Sequence, residues 1–233
     1  MLTLDKIYHA AYVLKSVARK TDLIAAPGLN AESEISLKTE NLQVTGSFKV
    51  RGAYDKISQL TADEKAKGVI ASSAGNHAQG VALAAQRSNI PSVICMPDGA
   101  PISKVEATKQ LGAEVRLVKG AYDDAYATAL QLQEDTGATF IHPFDDDEVI
   151  AGQGTIGLEM IQQDAVTDLN LRIQKVIRKL PMEGKDQEKL LKSIDTAAGK
   201  VVGKMMFGLR DFLEKDSFLE CMDGLEKLYE TGE

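Results

Sequence analysis

Val69-Ile70-Ala71-Ser72-Ser73-Ala74-Gly75-Asn76-His77-Ala78-Gln79-Gly80 opens as a short apolar run and turns through small residues into an Ala-rich stretch that continues to Arg87. A run of four apolar or small residues is too short for a helix and reads as a strand buried on both faces. Asn76 to Arg87 reads as the helix that follows it. The same alternation extends outward in both directions. Downstream come a strand at Ser92–Met96 closed by Pro97-Asp98-Gly99, a helix from about Ser103 to Leu111 and a strand at Glu114–Val118. A helix near Tyr122 to Thr136 and a strand at Thr139–Ile141 complete the series. Upstream, Leu4 to Val17 reads as a helix with Ile7, Ala11, Leu14 and Ala18 on one face, and Ile35–Thr39 as a strand. Phe48 to Leu60 reads as a helix, ended by a Thr61-Ala62-Asp63 step that also caps the next turn. Short apolar strands between helices predict an α/β fold, a parallel sheet with helices on both faces.

Beyond about Met160 the pattern changes. Five of the six prolines lie before that point, and no β-branched run follows it. Ile173, Val176 and Ile177 mark a helix that Pro181 ends. Leu190, Ile194, Ala198, Val201, Met205, Leu209 and Phe212 recur at three- and four-residue steps, as in an amphipathic helix. Phe218, Cys221, Met222, Leu225 and Leu228 mark a last one. The expected division is therefore an α/β part over residues 1–160 and an all-helical segment over 161–233. Arg172–Lys192 holds seven bases and three acids, and Asp211–Glu233 eight acids and two bases, a charge split that suits an antiparallel helical hairpin.

Composition removes several classes of function. Thirty-four acids against 27 bases give a net charge of −7, which argues against a nucleic-acid or anionic-membrane partner. Aromatic residues make up 5% of the chain and Trp is absent, so base-stacking surfaces are poor candidates. No apolar run approaches the roughly 20 residues that span a bilayer. Two cysteines, Cys95 and Cys221, are too few for a disulfide framework or a thiolate zinc site, and Cys95 in an apolar strand reads as core. The cytoplasm is the expected compartment. Asp145-Asp146-Asp147-Glu148 reads as an acidic helix start, and neither His9 nor His142 has metal-ligand spacing, so no metal site is expected.

Chemistry concentrates in two segments. In Thr45-Gly46-Ser47-Phe48-Lys49 a turn hands over to a helix, which places Lys49 in its first turn. The positive end of the helix dipole and partial burial beside Phe48 and Val50 both disfavour an ammonium, and a partly neutral amine can attack an aldehyde. The ordinary alternative is a solvated helix lysine. The second segment is Ser72 to Gly80. Its small residues let backbone N–H groups approach a ligand, and a helix start at the carboxyl end of a parallel strand favours an anion there. Its ordinary alternative is a capped βα turn. Both Lys49 and Asn76 sit where a strand hands over to a helix, so they are expected to face one cleft at the carboxyl ends of neighbouring strands.

Taken together, Lys38-Thr39-Glu40-Asn41-Leu42-Gln43-Val44-Thr45-Gly46-Ser47-Phe48-Lys49-Val50-Arg51-Gly52-Ala53 and Ser73-Ala74-Gly75-Asn76-His77-Ala78-Gln79-Gly80 resemble the threonine/serine dehydratases, within the fold type II enzymes that use pyridoxal 5′-phosphate (PLP). Met96-Pro97, Ala100-Pro101-Ile102-Ser103-Lys104, His142-Pro143-Phe144-Asp145 and Ile150-Ala151-Gly152-Gln153-Gly154-Thr155 extend the likeness to about Glu159. The resemblance implies that Lys49 holds PLP as a Schiff base and moves the Cα proton, and that Phe48 lies against the cofactor ring. It implies that Ser73, Ala74, Gly75, Asn76 and His77 grip the carboxylate of a small amino-acid substrate, with Asn76 also reaching the 3′-oxygen of PLP. The implied reaction converts threonine or serine to a 2-oxo acid and ammonia. Serine racemases of the class carry a proton-transferring serine where this chain has Ala74, so dehydration is favoured over racemisation.

The family's glycine-rich loop, which cradles the PLP phosphate, has no counterpart here: no two glycines of the chain are adjacent. From about Ile161 onward no family is recognised. The chain resembles the first half of a threonine dehydratase joined to a helical tail of other origin. The alternative to a working lyase is a catalytically inactive remnant that acts as an interaction or oligomerisation module, a homo-oligomer among the forms expected.

Overall fold

The structure is a computed structural model that describes residues 1–30, 32–177 and 184–212, the side chains of residues 205–212 excepted. Its elements in chain order are α1 (Leu4–Val13), β1 (Leu23–Ala25), β2 (Ser36–Lys38), α2 (Lys49–Ser58), α3 (Ala62–Lys67), β3 (Val69–Ser72) and α4 (Asn76–Arg87). There follow β4 (Ser92–Pro97), α5 (Ile102–Gln110), β5 (Glu114–Val118), α6 (Tyr122–Thr136), β6 (Thr139–Phe140), α7 (Asp147–Ile177) and α8 (Gly184–Phe212). Four strands form a wholly parallel sheet in the order β5-β4-β3-β6. Ala71 pairs with Ile94 and Ser72 with Cys95, so β4 runs two residues past the end of β3.

Side chains that alternate along β3 and β4 divide the core between the two faces of this sheet. Val69, Ala71, Ile94 and Met96 pack with Ala53 and Ile57 of α2, Ala78, Val81, Ala82 and Ala85 of α4, and Val105 of α5. Ile70 and Cys95 point the other way, onto Ala125 and Ala129 of α6. The fold class is thus α/β, a parallel sheet covered by helices on both faces. Cys95 is fully buried, as a core residue should be. Alanines on α4 and α6 let both helices lie close to the strands.

Three features depart from the sequence-based expectation. Helix α1 ends at Val13 and tightens into a 3-10 turn over Leu14–Ser16, and its buried residues are Tyr8 and Ala10, followed by Leu14, rather than the Ile7, Ala11, Leu14, Ala18 stripe. Strand β2 stands outside the parallel sheet and pairs antiparallel with β1, Ile24 opposite Leu37. Asp147 to Ile177 form one helix of 31 residues, although glycines interrupt the sequence pattern at 152, 154 and 157. The first of these glycines has a packing reason. A methyl group on Gly152 would lie 2.6 Å from both the Arg51 carbonyl oxygen and Gly52 Cα, and one on Gly52 would lie 2.5 Å from the Val149 carbonyl oxygen. Glycine on both sides lets α2 and α7 cross with backbones in contact.

The chain separates into two compact units, Met1–Ile156 and Gly157–Glu233. In the second, α8 covers the span of the expected amphipathic helix, and Asn170 Nδ2 donates to Asp195 Oδ1 at 2.5 Å. Among the described residues no strand follows Phe140. Pro181 and the expected helix from Phe218 to Leu228, with Cys221 and the acidic half of the charge split, lie outside the described residues. No helix among the described residues is long and apolar enough to cross a membrane.

Charged groups tie α1, α2 and the start of α7 together. Lys6 Nζ reaches Glu148 at 2.8 Å, and Lys56 Nζ reaches Asp146 at 2.8 Å and Glu148 at 3.3 Å. The acidic run also caps α7, since Asp146 Oδ1 accepts from the backbone N–H groups of Glu148 and Val149. Asp55, fully buried beside this group, has a carboxyl pushed up to about 7 by burial and by the charges of Glu148 and Asp146. Gln59 donates to one of its oxygens, and His9 Nδ1 lies 4.0 Å from the other. Between about pH 4 and pH 7 the folded chain holds a proton on Asp55 that the unfolded chain has released, so stability falls as pH rises through that window. Asp55→Asn is expected to stabilise the protein by about 2–4 kcal/mol at pH 8 and to do little below about pH 4. Urea unfolding at both pH values checks this, and an equal effect at both would contradict it.

Candidate active site

The turn before Lys49 is built by the sequence that precedes it. Gln43 O accepts from the Gly46 N–H at 2.7 Å, and Gly46 has φ +70, a left-handed conformation that glycine adopts without penalty. Ser47 Oγ then accepts from the Lys49 N–H at 3.3 Å, which satisfies one of the free donors at the start of α2. Lys49 is the first residue of α2. It does not follow a strand of the parallel sheet, contrary to the expectation that both site segments leave neighbouring strands. A 3-10 turn at Glu40–Leu42 and the Gly46 turn separate it from β2. Lys49 reaches the sheet through α2 instead. Gly80 on α4 is the point of approach, where a methyl group would stand 3.0 Å from the Lys49 carbonyl.

Burial lowers the pKa of the half-buried Lys49 ammonium below its ordinary value. Its Nζ donates to the Pro143 carbonyl at 2.6 Å and stands 5.3 Å from the centre of the Phe48 ring. Phe48 itself is 38% exposed, a large apolar face beside the amine. Pro143 belongs to the segment after β6, the strand next to β3. The same segment receives His77, whose Nε2 lies 2.9 Å from the Ile141 carbonyl. A carbonyl only accepts, so Nε2 carries the proton and Nδ1 is left with a lone pair; this nitrogen is buried without a hydrogen-bond partner. Burial first, then the nearby Lys49 and His142 charges, bring the His77 pKa down to about 4 against the pull of Ile141. The imidazole is neutral at pH 7. Lys49 and His77 are therefore brought together around the carboxyl ends of β3 and β6.

The loop between β3 and α4 holds the remaining expected residues. The Ser73 N–H donates to Cys95 O at 3.1 Å, which anchors the loop to the end of β4, and Ser73 Oγ accepts from the Gly75 N–H at 3.1 Å. Gly75 precedes α4 and faces open space, with nothing within 4 Å of where a methyl group would stand. Ala74 is half-buried in the turn and offers no proton. Asn76 is the exposed first residue of α4, and its Oδ1 accepts from Lys104 Nζ at 2.9 Å. Lys104 and Pro143 lie in segments that extend the family likeness, but nothing local in the sequence shows that they meet Asn76 and Lys49 or that a His77 nitrogen is left unpartnered. Lys104 stands 28 residues from Asn76 and Pro143 stands 94 from Lys49.

A half-buried amine of lowered pKa beside an aromatic face, and a helix N-terminus carrying an amide, fit the aldehyde and ring of PLP. Gly75 leaves room for a ligand to approach the backbone at that helix start.

Comparison with known proteins points the same way. The chain is 55% identical over 164 residues to the L-threonine ammonia-lyase of Thermotoga maritima, an alignment covering 70% of this chain and 41% of that protein. Among solved structures, threonine deaminase isoform 2 from Solanum lycopersicum is 41% identical with a TM-score of 0.63, covering 70% of this chain and 48% of its own. Maize serine racemase is 35% identical with a TM-score of 0.66, covering 70% and 50%. The chain thus spans about two-fifths to one-half of these relatives. Residues 14–174 match the family described as "Pyridoxal-phosphate dependent enzyme", a span that runs past the last recognisable motif near Glu159. The chain belongs to the pyridoxal-phosphate dependent enzyme family.

Proposed function

We propose that this chain carries the lysine-bearing part of a PLP-dependent threonine/serine dehydratase site, with Lys49 as the residue that attaches the cofactor. The observation that supports this most is the Lys49 amine itself, half-buried, lowered in pKa and set at the carboxyl end of a parallel sheet beside the Ser73–His77 loop. When bound, PLP supplies the electron sink for the charge that remains once the substrate's α-proton leaves. Lys49 Nζ takes that proton from Cα. Backbone N–H groups at the start of α4, from Gly75 to His77, hold the substrate carboxylate, with the helix dipole acting in the same direction. With the cofactor bound, Asn76 would donate from Nδ2 to its 3′-oxygen, and Phe48 would lie against its ring.

Overall, threonine loses its β-hydroxyl as water and its nitrogen as ammonia after one water adds back, giving 2-oxobutyrate; serine gives pyruvate. Ala74 cannot return a proton to the opposite face of Cα, which favours elimination over racemisation. The phosphate of PLP has no adjacent-glycine loop in this sequence to receive it. Turnover by this chain alone is therefore expected to be slow, because a misplacement of about 1 Å can cost on the order of 100-fold. The cytoplasm is the proposed compartment, and residues 161–233 are proposed as a helical tail that begins within α7. The test is 2-oxobutyrate release from threonine by the purified chain with added PLP. Slow release that depends on Lys49 supports the reading, and release that persists without Lys49 defeats it.

A further inference from the structure

Lys104 is the third residue of α5, and the sequence reading assigns it no role. Its place is well determined by the fold. Its N–H donates to the Pro101 carbonyl at 2.9 Å, its own carbonyl accepts from Thr108 Oγ1 at 2.8 Å, and the adjacent Val105 is buried in the core. From there the half-buried side chain crosses to α4, and its Nζ donates to Asn76 Oδ1 at 2.9 Å.

That contact decides which way the Asn76 amide faces. An ammonium has three donors and no acceptor, so only the oxygen of the amide can meet it. The two ends of an asparagine amide are otherwise interchangeable in shape, and its orientation is set by partners of this kind. With Oδ1 engaged, the two N–H donors on Nδ2 face away from Lys104. Asn76 is exposed at the helix start, so those donors are free to meet a ligand's oxygen. A flipped amide would present an acceptor there and repel the same oxygen.

We propose that Lys104 is a positioning residue: it locks the Asn76 amide so that Nδ2 donates to the phenolic oxygen of bound PLP. The proposal rests on the reading of Asn76 as part of the cofactor site. Lys104 acts through Asn76 and needs no contact with the cofactor.

The test uses the full chain with Lys104→Met, which keeps the stem and removes the donor, and Lys104→Arg, which keeps a donor. In the cofactor-free protein the Asn76 side-chain NH2 resonances are read by 15N–1H spectroscopy, with Asn76→Asp identifying them. Lys104→Met is expected to move these resonances, and Lys104→Arg to leave them near their original position. Unmoved resonances in Lys104→Met overturn the proposal whatever the function of the site. With PLP added, Lys104→Met and Asn76→Ala are each expected to weaken binding about tenfold, as loss of a hydrogen bond to a charged oxygen does. Both are also expected to change the ratio of the bound cofactor's absorbance bands, and Lys104→Arg to restore both readouts. A tenfold loss in Asn76→Ala beside none in Lys104→Met contradicts the proposal. Failure of the wild-type chain to bind PLP would end the reading of the site, and the resonance measurement would still decide the orienting role of Lys104.

Discussion

Glu40→Ala is expected to lower the unfolding free energy by about 3–5 kcal/mol, the cost of leaving one member of a buried ion pair without its partner. Glu40 and Arg51 are 8% and 1% exposed. They meet in a bidentate contact, Nε to Oε2 at 2.9 Å and Nη2 to Oε1 at 2.8 Å. Burial alone would raise the Glu40 carboxyl, but the hydrogen bonds from Arg51 and Thr21 overcome it and hold the group below its ordinary value. Arg51 also donates to Thr155 Oγ1 at 3.1 Å and to the Arg19 carbonyl at 3.2 Å. The pair thus joins the turn before Lys49, the helix that carries Lys49, and α7. Alanine at position 40 leaves the guanidinium buried and partly unpaired. Against a total stability of about 5–15 kcal/mol the loss is large, and the melting temperature should fall by roughly 6–20 °C. Glu40→Leu with Arg51→Met removes both charges together and is expected to recover most of it. Melting followed by circular dichroism measures all three; a Glu40→Ala midpoint equal to that of the wild type would contradict the role given to the pair.

Lys49→Ala should reduce PLP-dependent release of 2-oxobutyrate on the order of 10²–10⁴-fold, to the level of PLP in solution, because it removes both the attachment point and the proton acceptor. The same variant should melt close to the wild type. Lys49 is half-buried and its side-chain bond is to the Pro143 carbonyl, a group that water can satisfy once the amine is gone. Loss of turnover with retained stability separates chemistry from folding. An equal loss of both would place Lys49 among the structural residues.

Much of this architecture was legible because local patterns and tertiary packing agree. The β3–α4 unit reads directly from four buried residues, a small-residue turn and an alanine-rich face, and the structure has it at Val69–Ser72 and Asn76–Arg87. Thr61, expected to end one helix and cap the next, forms a capping box with Glu64. The misses have physical reasons. Strand β1 has three residues, two of them exposed, which leaves no alternation to read. Helix α7 hides because glycine is a poor helix former, costing about 1 kcal/mol per residue, and its packing value at Gly152 depends on Gly52, 100 residues earlier in sequence. In the site, a motif pointed to Lys49 and Asn76, whereas their partners Pro143 and Lys104 depend on how β6 and α5 are placed. A side chain can be read from a motif; the carbonyl or ammonium it meets is a property of the fold.

The central claim is that Lys49, among all the lysines of this chain, is the one prepared to hold PLP. The direct measurement is to incubate the purified chain with a modest excess of PLP, reduce with borohydride, digest, and locate the phosphopyridoxyl group by mass spectrometry. The account predicts that the modification falls predominantly on Lys49, at a pH where exposed lysines react slowly because they stay charged. A label spread over exposed lysines such as Lys109, with Lys49 no more modified than the rest, would contradict it.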